Sequence, residues 1–224
     1  MVQLIQLCVF DLDGTLIHSL QDLADACNYA LQKNGFAAHP VEDYRYFVGD
    51  GIRRLIERVL PEGSRDEASI AQVKRDFDSY YSVHYLDATR PYPGILQMLR
   101  QLAARGIKAA VVSNKPDAFA RAIVRQVFGE GVFCTAVGKR EGYEVKPDPR
   151  AVLEILEQQG VARSGCLYIG DSGVDIQTAQ NAGVRSVGVC WGFRPESELT
   201  AAGADFLLKK PEELIGILEY FQNN

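Results

Sequence analysis

Three features predict an α/β fold, a doubly wound parallel sheet carrying a helical insertion. Short apolar runs alternate with helical stripes over residues 1–16 and about 88–224. Several of those runs end in carboxylate or hydroxyl residues. Residues about 17–87 instead carry helical periodicity with few strand signals.

The first run, Ile5 to Phe10, is continuously apolar and short, as a strand buried on both faces requires. Further strand candidates are Ala109 to Ser113, Phe133 to Val137, Leu167 to Gly170, Ser186 to Cys190 and the short Asp205 to Leu208. Between them, Ile95, Leu96, Leu99 and Leu102 keep helical spacing and stop at Gly106, while Ile176, Ala179 and Ala182 stop at Gly183. Inside the insertion, Leu20, Leu23, Ala24, Cys27, Ala30 and Leu31 form one apolar stripe closed by Asn34-Gly35. Ile52, Leu55, Ile56, Val59 and Leu60 form a second, ending before Pro61, and Ile70, Val73, Phe77 and Tyr81 a third. The predicted division is a core of 1–16 plus 88–224 and an insertion of 17–87, hinged at Leu16 to Ser19 and Asp87 to Gly94.

Composition narrows the function classes. A chain of 224 residues, 47% hydrophobic, has room for one sizeable core and a smaller second unit. A net charge of −5 with no Lys/Arg run leaves no basic footprint for nucleic acid. No apolar stretch is long enough to cross a bilayer, and no signal-peptide pattern opens the chain. The five cysteines (Cys8, Cys27, Cys134, Cys166, Cys190) are scattered without a Cys-x-x-Cys pair. The expectation is a cytoplasmic protein, monomeric or homodimeric, with no nucleic-acid or membrane partner.

Chemistry concentrates in four segments. In Asp11-Leu12-Asp13-Gly14-Thr15, directly after the first strand, two carboxylates recur at the strand period and share one side. They can hold a hard cation and leave an oxygen free to attack. Gly14 allows a sharp turn and close approach to a phosphate, to which the Thr15 hydroxyl can donate. Alone, this pentapeptide is equally readable as an ordinary acidic turn. Ser113-Asn114 ends a second strand with two hydrogen-bond donors for a phosphoryl oxygen. Lys146 precedes Pro147-Asp148-Pro149 and a helical pattern, a setting that is also structurally routine. Asp171 and Asp175 follow the strand Leu167 to Gly170, and an N-cap with a first-turn acid would account for them as well. Parallel strands bring all four segments to one edge of the sheet, which makes a single site the more economical account.

In order and spacing, these four motifs resemble those of the haloacid dehalogenase superfamily over nearly the whole chain. That resemblance implies a Rossmann-like core with a small helical cap and Mg²⁺-dependent phosphoryl transfer. By the same resemblance, Asp11 is the nucleophile that forms an aspartyl-phosphate, and Asp13 is the general acid and then base. Lys146 neutralises charge, Gly14, Thr15, Ser113 and Asn114 bind phosphate, and Asp11, Asp13, Asp171 and Asp175 make up the metal site, Asp175 either as a ligand or as support behind it. The dehalogenases that name the superfamily lack the second acid, so Asp13 argues against carbon–halogen chemistry.

Within the insertion, Val48-Gly49-Asp50-Gly51-Ile52-Arg53-Arg54 places two glycines before a helix, where backbone amides suit an anion. A glycine turn with solvated arginines is the competing account. The segment is similar to the glycine-turn-helix of phosphoglycolate phosphatases, as are Pro91-Tyr92-Pro93-Gly94 and Val189-Cys190-Trp191-Gly192. Gly49, Gly51, Arg53 and His18 are therefore the specificity candidates, with Arg53 the expected reader of a substrate carboxylate. The expected substrate is a small anionic phosphate ester, 2-phosphoglycolate foremost. A sugar-phosphate mutase, another small-molecule phosphatase acting on pyrophosphate, nucleotide or sugar phosphate, and a binding protein on the same fold are the alternatives. Phosphonate hydrolysis would need a lysine in the insertion, where only Lys33 and Lys74 occur, neither in the glycine-turn helix.

Overall fold

The computed structural model describes residues 4–223 and divides into two compact units, one of them His18–Arg90. In chain order the elements are β1 (Leu7–Phe10), β2 (Ile17–His18), α1 (Leu20–Lys33), α2 (Tyr44–Phe47), α3 (Ile52–Val59), α4 (Glu67–His84), β3 (Arg90–Pro91) and α5 (Ile95–Ala104). They continue with β4 (Lys108–Pro116), α6 (Asp117–Phe128), β5 (Thr135–Lys139), α7 (Arg150–Gln159), β6 (Cys166–Gly170), α8 (Gly173–Ala182), β7 (Arg185–Val189), α9 (Glu196–Ala201), β8 (Phe206–Leu208) and α10 (Leu214–Asn223).

The larger unit is a six-stranded sheet in the order β5-β4-β1-β6-β7-β8, parallel throughout. All four residues of β1 are buried, because this central strand is covered on both faces. Leu7 and Val9 enter a core with Val112, Tyr168, Val152 and Ile155 on one face. Cys8 and Phe10, equally buried, point to the other by the two-residue alternation of a strand. Burying side chains of this size stabilises the fold by roughly 1.5–3 kcal/mol each.

Strand order decides where the chemistry sits. The chain leaves β1 toward β4 on one side and returns to β6 on the other, so β1 lies at the point where the winding reverses. Its last residue, Phe10, is level with Val111 of β4 and Ile169 of β6. The residues just beyond, Asp11, the Ser113–Lys115 segment and Asp171, therefore emerge together at the carboxyl edge of the sheet, where a doubly wound fold opens its crevice.

The smaller unit is helical. Leu20, Leu23, Ala24, Cys27, Ala30 and Leu31 bury the inner stripe of α1, and Ile70, Val73, Phe77 and Tyr81 that of α4. The Asp66 carboxylate caps α4 by accepting the Ala68 and Ser69 amides. Asp76 ties the two helices, accepting from Lys33 at 2.6 Å and from Asn34 at 2.8 Å. The compact unit runs from His18 to Arg90. The buried Asp22 carboxylate accepts the Ala88 amide and both donors of Thr89, which binds those residues to α1. Among the described residues, no helix is long and apolar enough to cross a membrane.

Candidate active site

Asp11 leaves β1 still in the sheet's hydrogen-bond pattern, its amide donating to the Ile169 carbonyl at 2.8 Å. The chain then closes a tight loop, with the Leu16 and Ile17 amides both returning to the Leu12 carbonyl. Gly14 takes φ 88 in that loop, and a side chain there would place its Cβ 2.3 Å from Asp171 Oδ2. Its lack of a side chain thus serves the close approach of Asp171.

Asp11, Asp171 and Asp175 are buried, and each offers an oxygen within 4.8 Å of the others. Lys146 Nζ lies 2.7 Å from Asp11 Oδ1 and 2.7 Å from Asp175 Oδ1. Fully ionised, three carboxylates against one ammonium would leave an excess of two negative charges in a buried space. All the donors are hard oxygens. That combination fits a divalent, oxygen-seeking cation.

The titration behaviour follows the same imbalance. Burial pushes the Asp11 carboxyl well above the usual carboxylate range, Lys146 opposes it, and Asp175 and Asp171 add to it. Asp171 is pushed up to about 7, by burial first and by Asp175 second, against the Phe193 amide. Burial works against the Lys146 ammonium, yet Asp11 and Asp175 outweigh it and hold its pKa well above the ordinary lysine value.

The remaining motif residues mostly hold this cluster in place. The Thr15 hydroxyl donates to Asp171 Oδ1 at 3.3 Å, and the Phe193 amide donates to Asp171 Oδ2 at 2.7 Å. Asp175 takes up the Ser172 amide and hydroxyl on Oδ2, a capping box at the start of α8, while its Oδ1 meets Lys146. It therefore supports Lys146 from below as well as belonging to the acidic cluster. Asn114 Oδ1 accepts the Lys146 amide and Asn114 Nδ2 donates to the Lys146 carbonyl, so this side chain, expected to bind phosphate, is also a strut for the lysine loop. Ser113 is buried, and its Oγ accepts the Lys115 amide at 3.2 Å.

Asp13 was expected among the metal ligands. Its carboxylate meets Lys115 Nζ, at 2.9 Å from Oδ1 and 3.2 Å from Oδ2, and is not among the clustered side-chain oxygens. Lys115 was missed from the sequence. Its position directly after Ser113-Asn114 was the available signal, since a lysine ending a buried strand needs a counter-charge.

In the helical unit, Gly49 and Gly51 adopt φ 127 and 85, and Gly51 precedes α3 with no side chain capping it. Arg53 is about half exposed and bonds Glu57 and Glu67, so the expected carboxylate reader already carries two carboxylates. Glu57 lies one helical turn along α3, and Glu67 opens α4. His18 is exposed on β2, which pairs with β3. Lys33 and Lys74 are paired with Asp76 and Asp78.

Comparison with known proteins gives a consistent picture. A family model described as haloacid dehalogenase-like hydrolase matches residues 8–189. The chain is 33% identical over 215 residues to a phosphoglycolate phosphatase of Aquifex aeolicus (strain VF5), covering 94% of this chain and 95% of that protein. It is 33% identical over 219 residues to a phosphoglycolate phosphatase of Vibrio parahaemolyticus, covering 96% of each. Among solved structures, a candidate phosphoglycolate phosphatase from Lactobacillus delbrueckii subsp. bulgaricus superposes with a TM-score of 0.90 at 33% identity, covering 98% of this chain and 99% of that one.

Proposed function

The chain belongs to the haloacid dehalogenase-like hydrolase family and is a phosphatase; on that premise, we propose that it hydrolyses a small anionic phosphomonoester, 2-phosphoglycolate foremost, by a two-step transfer through Asp11. The observation that carries this reading is the pairing of Asp11 with Lys146 at 2.7 Å beside the buried Asp171 and Asp175. A carboxylate attacking a phosphate dianion faces charge repulsion, so positive charge has to be concentrated around it. Lys146 supplies one such charge at the attacking oxygen. Asp11 and Asp171 would hold Mg²⁺, with Asp175 supporting them. Bound there, Mg²⁺ supplies Lewis-acid neutralisation of the phosphoryl oxygens.

In the first step a bond forms between Asp11 and phosphorus as the ester bond breaks, and Asp13 gives its proton to the departing alkoxide oxygen. In the second step Asp13 takes a proton from water, whose oxygen attacks the aspartyl-phosphate. Phosphate leaves, and Asp11 is restored as a carboxylate. The cycle returns every proton and both carboxylates to their starting state.

For the substrate, support comes from the relatives' names and from the α3 segment, whose glycines leave the first helix amides without a side-chain cap. The small helical unit is proposed to be the cap, and the cytoplasm the compartment, in keeping with five cysteines that are all free thiols.

The test is phosphate release across 2-phosphoglycolate, sugar phosphates, pyrophosphate, a nucleotide and an aryl phosphate, with Mg²⁺ and then with chelator, for the wild type and Asp11→Asn. Preferred release from 2-phosphoglycolate, abolished by chelator and by the substitution, is expected. Isomer conversion without phosphate release would establish a mutase in its place, and full activity of Asp11→Asn would overturn the mechanism.

A further inference from the structure

Lys115 is a deeply buried cation that none of the four motifs accounts for. Its side chain is 2% exposed, and its ammonium spans both oxygens of Asp13, at 2.9 and 3.2 Å. Asp13 lies in the loop just beyond β1, and Lys115 near the end of the adjacent parallel strand β4. The β1–β4 ladder runs to Phe10 and Val111, and the Lys115–Asp13 pair joins the chain ends beyond it. On the other flank, Lys146 is committed to Asp11 and Asp175. Two aspartates that lie two residues apart thus meet different lysines, Asp11 meeting Lys146 and Asp13 meeting Lys115.

That division matters because the aspartates have different tasks. A nucleophile needs its oxygen aimed at phosphorus. A proton shuttle needs its oxygen aimed first at the leaving group and then at water. A short carboxylate side chain reaches several rotamers, and misplacement by about 1 Å is enough to lose much of the advantage of orientation.

We infer that Lys115 is the positioning residue of Asp13, an inference that rests on the phosphatase reading above. Its ammonium holds the acid–base carboxylate toward β4, apart from the Lys146–Asp11 pair. The shorter contact, to Oδ1, keeps the side chain oriented. The longer one, to Oδ2, opens when that oxygen carries the proton that goes to the leaving alkoxide and is later recovered from water. Lys115 keeps its own protons throughout.

A double-mutant cycle tests this. Lys115→Met keeps the apolar stem and removes the ammonium. It is expected to lower kcat about ten- to hundredfold, the loss of one charge-assisted contact, with KM nearly unchanged. In an Asp13→Asn background the same substitution should scarcely lower kcat further, because the group being positioned is already disabled. Lys115→Arg, which keeps a cation, should retain more turnover than Lys115→Met at comparable melting temperature. Added ethylammonium should restore part of the turnover of Lys115→Ala when Asp13 is present and none of it in Asp13→Asn. Equal losses in both backgrounds, a loss carried by KM, or equal loss in the Arg and Met variants would overturn the inference and assign Lys115 to substrate or to the fold. A wild type without phosphatase activity would overturn the proposed function as well. An active wild type with additive losses would overturn the role of Lys115 alone.

Discussion

Asn114 holds Lys146 by its main chain, accepting the lysine amide at 2.7 Å and donating to the lysine carbonyl at 3.4 Å. The end of β4 thereby governs both cations of the site. Lys115 is part of it, and Asn114 on it anchors the loop that carries Lys146 to Asp11. The arrangement explains why a neutral amide is buried beside so many charges. Its oxygen and its amide nitrogen each meet the Lys146 main chain.

Replacing this strut should loosen Lys146 without removing it. Asn114→Ala is expected to lower kcat about tenfold, in line with the roughly 1–1.5 kcal/mol of an ordinary buried hydrogen bond. The same variant should still fold and melt cooperatively. Steady-state kinetics with 2-phosphoglycolate and a melting curve check this, and unchanged kcat would show that Lys146 is held without Asn114.

The acidic cluster is enclosed by glycines. A Cβ at Gly14 would lie 2.3 Å from Asp171 Oδ2, and one at Gly192 would lie 2.3 Å from Asp171 Cβ. Gly14→Ala and Gly192→Ala should each displace Asp171, because the added Cβ would overlap its side chain. Gly14→Ala adds the penalty of a left-handed conformation, of order 1–3 kcal/mol. Both variants should lose most of the Mg²⁺-induced rise in melting temperature. Calorimetry with and without Mg²⁺ decides it, and a normal Mg²⁺ response in either variant would contradict the geometry.

Cation binding and protonation should oppose each other. Asp171 is pushed up to about 7, so without a divalent cation the folded protein holds a proton that the unfolded chain releases near the ordinary aspartate value. Between those two values the folded state binds more protons, and its stability falls as pH rises toward and through about 7. A bound cation requires the ionised form and offsets that loss, while its apparent affinity weakens as pH falls below about 7. The gap in melting temperature between Mg²⁺ and chelator should therefore widen from about pH 6 to about pH 8. A constant or narrowing gap would remove Asp171 from the cation site. Ca²⁺ should support turnover poorly, because its looser shell can take up the second oxygen of Asp11.

Arg53 is now expected to be a weak determinant. Its guanidinium already pairs with Glu57 and Glu67 at an exposed position, where solvent screens such pairs and leaves them contributing little. Arg53→Ala should change KM for 2-phosphoglycolate by less than about fivefold, and equally for an aryl phosphate. A larger loss confined to the carboxylated substrate would restore Arg53 as its reader.

Much of this was legible in the chain itself. Runs of four or five apolar residues between helical stripes specify a covered parallel sheet, because only a strand buried on both faces tolerates such a run. Helical spacing in Leu20 to Leu31 and Ile70 to Tyr81 specifies the inserted helices, since each stripe needs a partner surface. Asp11, Asp13, Asp171 and Asp175 were expected at one edge of the sheet, and Asp11, Asp171 and Asp175 lie together there. What the local pattern could not disclose was which partner each polar group would take. Thr15 donates to Asp171 across 156 residues of chain, Lys115 meets Asp13 across 102, and Asn114 meets Lys146 across 32. Local sequence determines elements through propensity and periodicity, which act over a few residues. A buried donor or acceptor is satisfied by whatever the packed strands bring within hydrogen-bonding reach, and only the tertiary structure decides that.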